Sequence, residues 1–211
     1  MNHLISDPPE LLINDPRRGD CTIVLAHGAG AAMDTEFMDT FADGLANRGL
    51  RVVRFEFPYM AERRRTGKRR PPDREPILRD TWYRVIDSLS ADRMVIGGKS
   101  MGGRIASLIA DEAQVTGLVC LGYPFHPTGK PDKLRIEYLK SIETPTLIVQ
   151  GDRDPFGNIG EVGGYSLSSQ IQMHWLTDGD HSFKPRKASG KSLDDNIAEA
   201  ITCITKFLDT I

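Results

Sequence analysis

Six short apolar runs punctuate the chain, and the segments between them carry helical periodicity. The runs "CTIVLAH", "LRVVRFEF", "DRMVIGG", "TGLVCLGY" and "TPTLIVQG" are nearly continuous, while "IQMHWLT" alternates more. Such runs suit strands buried on both faces, the situation of a parallel sheet covered by helices. Between them, Phe37, Phe41 and Leu45 recur every four residues behind candidate caps at Asp34 and Thr35, and Gly49 supplies a stop. A second helix is expected from near Pro76, with Leu78, Trp82, Val85, Ile86 and Leu89 on one face. A third follows Ser100 directly through Ile105, Leu108 and Ile109, and a shorter one uses Leu134, Tyr138 and Leu139. The last presents Ile197, Ile201, Ile204 and Leu208 behind Ser192, with Asp195 three residues on. Strands alternating with helices predict an α/β fold, a three-layer α/β/α sandwich around a mostly parallel sheet of about six or seven strands.

A length of 211 residues fits one such domain, which would bury roughly 70% of its unfolded surface. Residues 1–20 read as an N-terminal extension or an edge strand, and neither an internal repeat nor a long linker divides the rest. A net charge of -2, with 39% hydrophobic and 27% charged residues, predicts no general affinity for nucleic acid or membranes. Cys21, Cys120 and Cys203 stand far apart without a CxxC pair, so neither a zinc site nor a disulfide framework is expected. "MNHLISDPPELLIND" has acids and paired prolines where a signal peptide needs an apolar run, and a reducing cytoplasm is the expected location.

In a parallel sheet the strand-to-helix loops gather at the carboxyl ends of the strands, where ligands bind. One such loop lies in "MVIGGKSMGGR", Met94 to Arg104. Gly98-Lys99-Ser100 resembles the end of a phosphate-binding loop, but that loop needs a glycine five residues earlier, and position 93 is arginine. Gly98-Lys99-Ser100-Met101-Gly102 instead satisfies G-x-S-x-G between a strand and a helix, the context of a nucleophile elbow. Side chains at 98 or 102 would collide with neighbouring backbone as the chain reverses, and the strained turn holds Ser100 above the sheet. The pattern alone also describes an ordinary glycine-rich turn. A serine nucleophile needs a base and a group to orient it.

"DRDPFG" follows the strand "TLIVQG", and His181 in "DHSFKP" follows the strand "IQMHWLT". Their order, Ser then Asp then His, is the one associated with this elbow. On these residues the chain resembles the α/β-hydrolases, in particular the small lidless members similar to dienelactone hydrolase, from Cys21 onward. The resemblance implies that the acid stands three residues after the glycine ending its strand, which maps to Asp154, with Asp152 as the alternative. Among five histidines, His174 lies within a strand, His3 near the terminus, and His126 precedes the acid, which leaves His181 as base. His126 is retained as a candidate pocket residue.

Two preorganised N–H donors are needed for a tetrahedral oxyanion. Met101, the residue after the nucleophile, supplies one; the resemblance implies Ala29 in "LAHGAGA" for the other, with Gly28 or Gly30 as substitutes. His27 then fixes this loop. A dinucleotide-binding reading of Gly28-Ala29-Gly30 meets Met33 at its third glycine position, too bulky for close helix-to-strand packing.

Between Glu62 and Arg74 stand seven basic residues and two acids. A solvated loop is the plain reading. Because the segment follows a strand whose carboxyl end faces the same side as Ser100, Arg63, Arg64, Arg65, Lys68, Arg69 and Arg70 are also candidates for attracting an anionic substrate. The expected activity is hydrolysis of a small-molecule ester or thioester through an acyl-enzyme, without cofactor or metal, by a monomer or small homo-oligomer. The resemblance also allows a catalytically weak scaffold within a larger complex. No insertion of lid size stands between Gly122 and Pro145, so a shallow, open pocket is expected.

Overall fold

The computed structural model describes residues 8–15 and 21–211. Its strands are β1 (Leu11–Asn14), β2 (Cys21–Ala26), β3 (Arg51–Phe55), β4 (Arg93–Lys99), β5 (Gly117–Leu121), β6 (Thr146–Gly151) and β7 (Ile171–Leu176). Among the described residues they form one seven-stranded sheet in the order β1-β3-β2-β4-β5-β6-β7. Every pairing is parallel except β1 with β3, where a four-residue antiparallel strand closes the edge. The order reverses at β2 and β4, which places the loops after these two central strands side by side.

The helices are α1 (Glu36–Ala46), α2 (Pro58–Thr66), α3 (Glu75–Ser88), α4 (Met101–Ser107), α5 (Ile159–Val162) and α6 (Leu193–Leu208). Alternation along each strand sends successive side chains to opposite faces. Ile23, Leu25, Val52, Val95 and Val119 pack with Phe41 and Leu45 of α1 and with Ile201 and Ile204 of α6. Val24, Val53, Phe55, Ile96 and Leu118 pack on the other face with Leu78, Trp82 and Val85 of α3 and Ile105 of α4. Continuous apolar strands thus serve two cores, as in an α/β/α sandwich.

The expected cap of the last helix forms: Ser192 Oγ accepts the Asp195 N–H at 3.1 Å, and Asp195 Oδ2 accepts the Ser192 N–H at 2.8 Å. Two elements differ from expectation. The helix expected around Leu134, Tyr138 and Leu139 is only a 3-10 turn at Tyr138–Lys140, because Leu134 and Tyr138 point to solvent while Leu139 alone of the three is buried. The basic segment begins as helix rather than loop: Pro58 opens α2, and Gly67, at φ 71°, ends it in the left-handed conformation.

Candidate active site

Ser100 sits between β4 and α4 at φ 52° and ψ -114°, a strained conformation for a residue with a side chain. Gly98, at φ 146°, and Gly102 make it possible: a Cβ at either would run into the Ala26 carbonyl oxygen of the adjacent β2. The turn is pinned by the Ser100 N–H to the Leu121 carbonyl and by the Arg104 N–H to the Ser100 carbonyl, both 3.0 Å.

His181 Nε2 lies 2.9 Å from Ser100 Oγ, and its Nδ1 lies 2.7 Å from Asp154 Oδ2. An ionised carboxylate only accepts, so the proton of a neutral imidazole belongs on Nδ1 and the Nε2 lone pair faces the hydroxyl. Asp154 is fully buried, yet its oxygens are occupied: Oδ2 also accepts from Gln150 Nε2 at 2.9 Å, and Oδ1 accepts the Phe156 N–H at 2.8 Å. Asp152, the alternative acid, does not meet His181; its buried Oδ1 has no hydrogen-bond partner among the described residues. Gln150 also accepts the Tyr123 N–H at 2.7 Å, joining the ends of β5 and β6. Gln150 is not among the residues that the sequence singles out; its only signal is a polar residue closing the apolar run Leu147 to Val149.

The loop carrying His181 is fixed from several sides. Asp180 accepts from the N–H groups of Ser182 at 2.8 Å and Lys184 at 3.0 Å, and Asn196 of α6 donates to the Phe183 carbonyl at 2.8 Å. The Phe156 ring lies 4.4 Å from the imidazole. The Lys99 ammonium donates to the His181 carbonyl and lies 5.4 Å and 5.5 Å from the rings of Phe37 and Phe183. Burial pushes the Lys99 ammonium down to about 8.

The loop after β2 is equally constrained. His27 is buried, with Nε2 accepting the Phe57 N–H at 3.1 Å and Nδ1 at 2.7 Å from the Gly28 carbonyl, which together require the neutral Nδ1–H form. Burial lowers the His27 pKa in the same sense. The Tyr59 hydroxyl donates to the Ala29 carbonyl at 2.9 Å. Ala29 and Met101 line one cavity of about 330 Å³ with Ser100, Leu78, Pro124 and Phe156. A larger hollow of about 580 Å³ lies between β7 and α6, where His174 pairs with Glu199 at 3.1 Å; none of its lining residues meets Ser100.

The basic candidates lie elsewhere than expected. None of Arg63, Arg64, Arg65, Lys68, Arg69 or Arg70 lines the Ser100 cavity; the segment borders it through Pro72 and Asp73. Their charges are engaged or solvated. Arg63 donates to the Gly30 carbonyl at 3.2 Å, and Arg65 pairs with Glu62 on its own helix. Arg64 bridges Glu56 and Asp34, both at 2.7 Å, whereas Lys68, Arg69 and Arg70 are exposed. His126 is likewise no cavity residue: it is buried, with Nδ1 at 3.0 Å from the Pro127 carbonyl and Nε2 at 3.4 Å from Glu161. His3 lies outside the described residues. The cations that do face the cavity are Arg104 and Arg135, 31 positions apart and not singled out in the sequence.

Among the described residues, no helix is long and apolar enough to cross a membrane. The sequence profile of the alpha/beta hydrolase domain family matches residues 19–209. A rat protein named "Putative protein-lysine deacylase ABHD14B" is 30% identical over 139 residues, covering 65% of this chain and 63% of the rat protein's own length. In fold, the chain is similar to an alpha-beta serine hydrolase homologue from Coxiella burnetii, with a TM-score of 0.69 at 21% identity over 98% of this chain and 96% of that one. It is also similar to a lidless α/β serine hydrolase from Xanthomonas campestris (TM-score 0.70, 17% identity, 98% of each chain). A dienelactone hydrolase from Anabaena variabilis gives 0.68 at 19% identity over 91% of this chain and 88% of that one.

Proposed function

Because this chain belongs to the alpha/beta hydrolase domain family, we propose that it hydrolyses an ester or thioester with Ser100 as nucleophile, His181 as base and Asp154 as orienting acid. The observation that carries this reading is the imidazole that touches both Ser100 Oγ and Asp154, with a lone pair toward the hydroxyl. His181 takes the Ser100 proton as Oγ attacks the acyl carbon, and the N–H groups of Ala29 and Met101 receive the oxyanion. Collapse of the tetrahedral intermediate expels the alcohol or thiol, which leaves with the proton from His181. Water, deprotonated by the same imidazole, then attacks the acyl-enzyme and frees Ser100 and the acid.

The clamps around the oxyanion loop support the assignment of Ala29. His27, Tyr59 and Arg63 each hold one of the three successive carbonyls of Gly28, Ala29 and Gly30, leaving the loop little freedom to withdraw its N–H groups. The name of the rat relative adds a further acyl substrate for trial, the amide of an acyl-lysine. Ser100→Ala tests the proposal: kcat for an activated ester falls by on the order of 10⁴ to 10⁶, while unchanged turnover removes Ser100 from the chemistry.

A further inference from the structure

The two arginines beside Ser100 are built differently from the solvated charges of the basic segment. Arg104 lies one helical turn after Ser100, and Arg135 comes from the irregular segment between β5 and β6; both line the Ser100 cavity. Arg135 has its backbone held on both sides, its N–H donating to the Phe125 carbonyl at 2.7 Å and its carbonyl accepting from the Tyr123 hydroxyl at 2.9 Å. An exposed guanidinium on an anchored backbone is thus presented at the cavity rim.

Two carboxylates, Asp73 and Glu75, share the cavity wall with this pair, and they engage its members unequally. Glu75 stands 3.7 Å from Arg104, within ion-pair distance though too long for a hydrogen bond. Asp73, also in the cavity wall, accepts the Tyr59 N–H at 2.8 Å. Among the described residues no carboxylate lies within ion-pair distance of Arg135. Partial burial, the larger cause, and the neighbouring Arg104 charge both lower the Arg135 pKa. A planar guanidinium meets a carboxylate through two parallel N–H donors, which makes that group the natural complement.

Building on the reading of Ser100 as nucleophile, we propose that Arg135, flanked by Arg104, forms a carboxylate subsite, and that the substrates are esters or thioesters bearing a carboxylate. The earlier expectation of an anionic substrate is retained, but its recognition moves from the basic helix to the cavity that holds Ser100.

Two aryl-ester pairs test this. Half-esters of succinate or glutarate carry the charge on the acyl side, and acetyl-hydroxybenzoate carries it on the leaving side; each is compared with its neutral methyl-ester counterpart. In the wild type, kcat/KM for at least one anionic member should exceed its counterpart by roughly 10- to 100-fold, largely through KM. The responding pair identifies the side. In Arg135→Gln that ratio should fall toward one, and Arg135→Lys should restore part of it. A wild-type ratio near one in both pairs, or a preference undiminished in Arg135→Gln, overturns the subsite while leaving Ser100 as nucleophile if the neutral esters are turned over. Failure to hydrolyse any ester, with no labelling of Ser100 by a fluorophosphonate, removes both proposals together.

Discussion

The ammonium of Lys99 donates to the backbone carbonyl of His181, so the residue preceding the proposed nucleophile holds the loop that carries the proposed base. In Lys99→Met the apolar stem is retained and the donor is lost. A positioning role predicts kcat lower by about 5- to 10-fold with KM little moved, as steady-state kinetics would read.

Lys99 also links stability to pH. Its folded pKa of about 8 lies below the ordinary 10.5, so between these values the unfolded chain binds the proton that the folded chain releases. The group's contribution to stability therefore rises with pH across that window. Urea unfolding of wild type and Lys99→Met at about pH 7 and about pH 10 should show the difference shifting toward the wild type at the higher pH. A constant difference would indicate an ordinary amine.

Tyr59 reaches the proposed oxyanion loop through its hydroxyl, at 2.9 Å from the Ala29 carbonyl, and through its ring, edge-on to His27. Tyr59→Phe keeps the ring and releases the carbonyl. Since the proposed benefit is realised when the oxyanion forms, kcat should fall by roughly 3- to 10-fold; a change confined to KM would place Tyr59 in substrate binding instead.

Two glycines of positive φ should respond differently to alanine. Gly98→Ala drives a Cβ into the Ala26 carbonyl, whereas Gly49→Ala, at φ 89°, finds open space. About 1 kcal/mol is expected for Gly49→Ala from conformation alone, against about 3 kcal/mol or more for Gly98→Ala, measured by denaturant titration.

How far such features were legible in the sequence follows from their range. The uninterrupted apolar strands, the Ser192 cap and the Gly98-to-Gly102 elbow are local patterns, and each appears in the fold where the chain places it. Three strand ends sharing one rim of the sheet let Ser100, Asp154 and His181 meet, while the choice of Asp154 over Asp152 is what the α/β-hydrolase resemblance implies. The rest depends on contacts between distant segments. Arg64 sits in a run of like charges that suggests solvation, yet its partners Asp34 and Glu56 arrive from other elements. Arg135 reaches the cavity because the segment after β5 turns back on itself, its N–H meeting the Phe125 carbonyl, which no local period announces. Helix α2 carried legible signals in Pro58 and Gly67, but its charged middle lacks an apolar stripe.

Arg64 and Arg65 separate structural from ornamental charge. Glu56 is 5% exposed, so Arg64→Ala leaves a buried carboxylate without its cation, although the arginine, itself 44% exposed, shares its charge with water. A loss of about 1–3 kcal/mol is expected there, against no resolvable loss for Arg65→Ala, whose pair with Glu62 is solvated. Thermal melts of the two variants make the comparison, and equal losses would contradict it.

Intact-protein and peptide mass spectrometry after exposure to a fluorophosphonate tests the central claim most directly, because only an activated serine is phosphonylated rapidly. One adduct per wild-type chain, on the peptide containing Ser100 and greatly slowed in His181→Ala, is the expected result. A folded wild type left unlabelled by several such probes, or labelled as fast without His181, would contradict it.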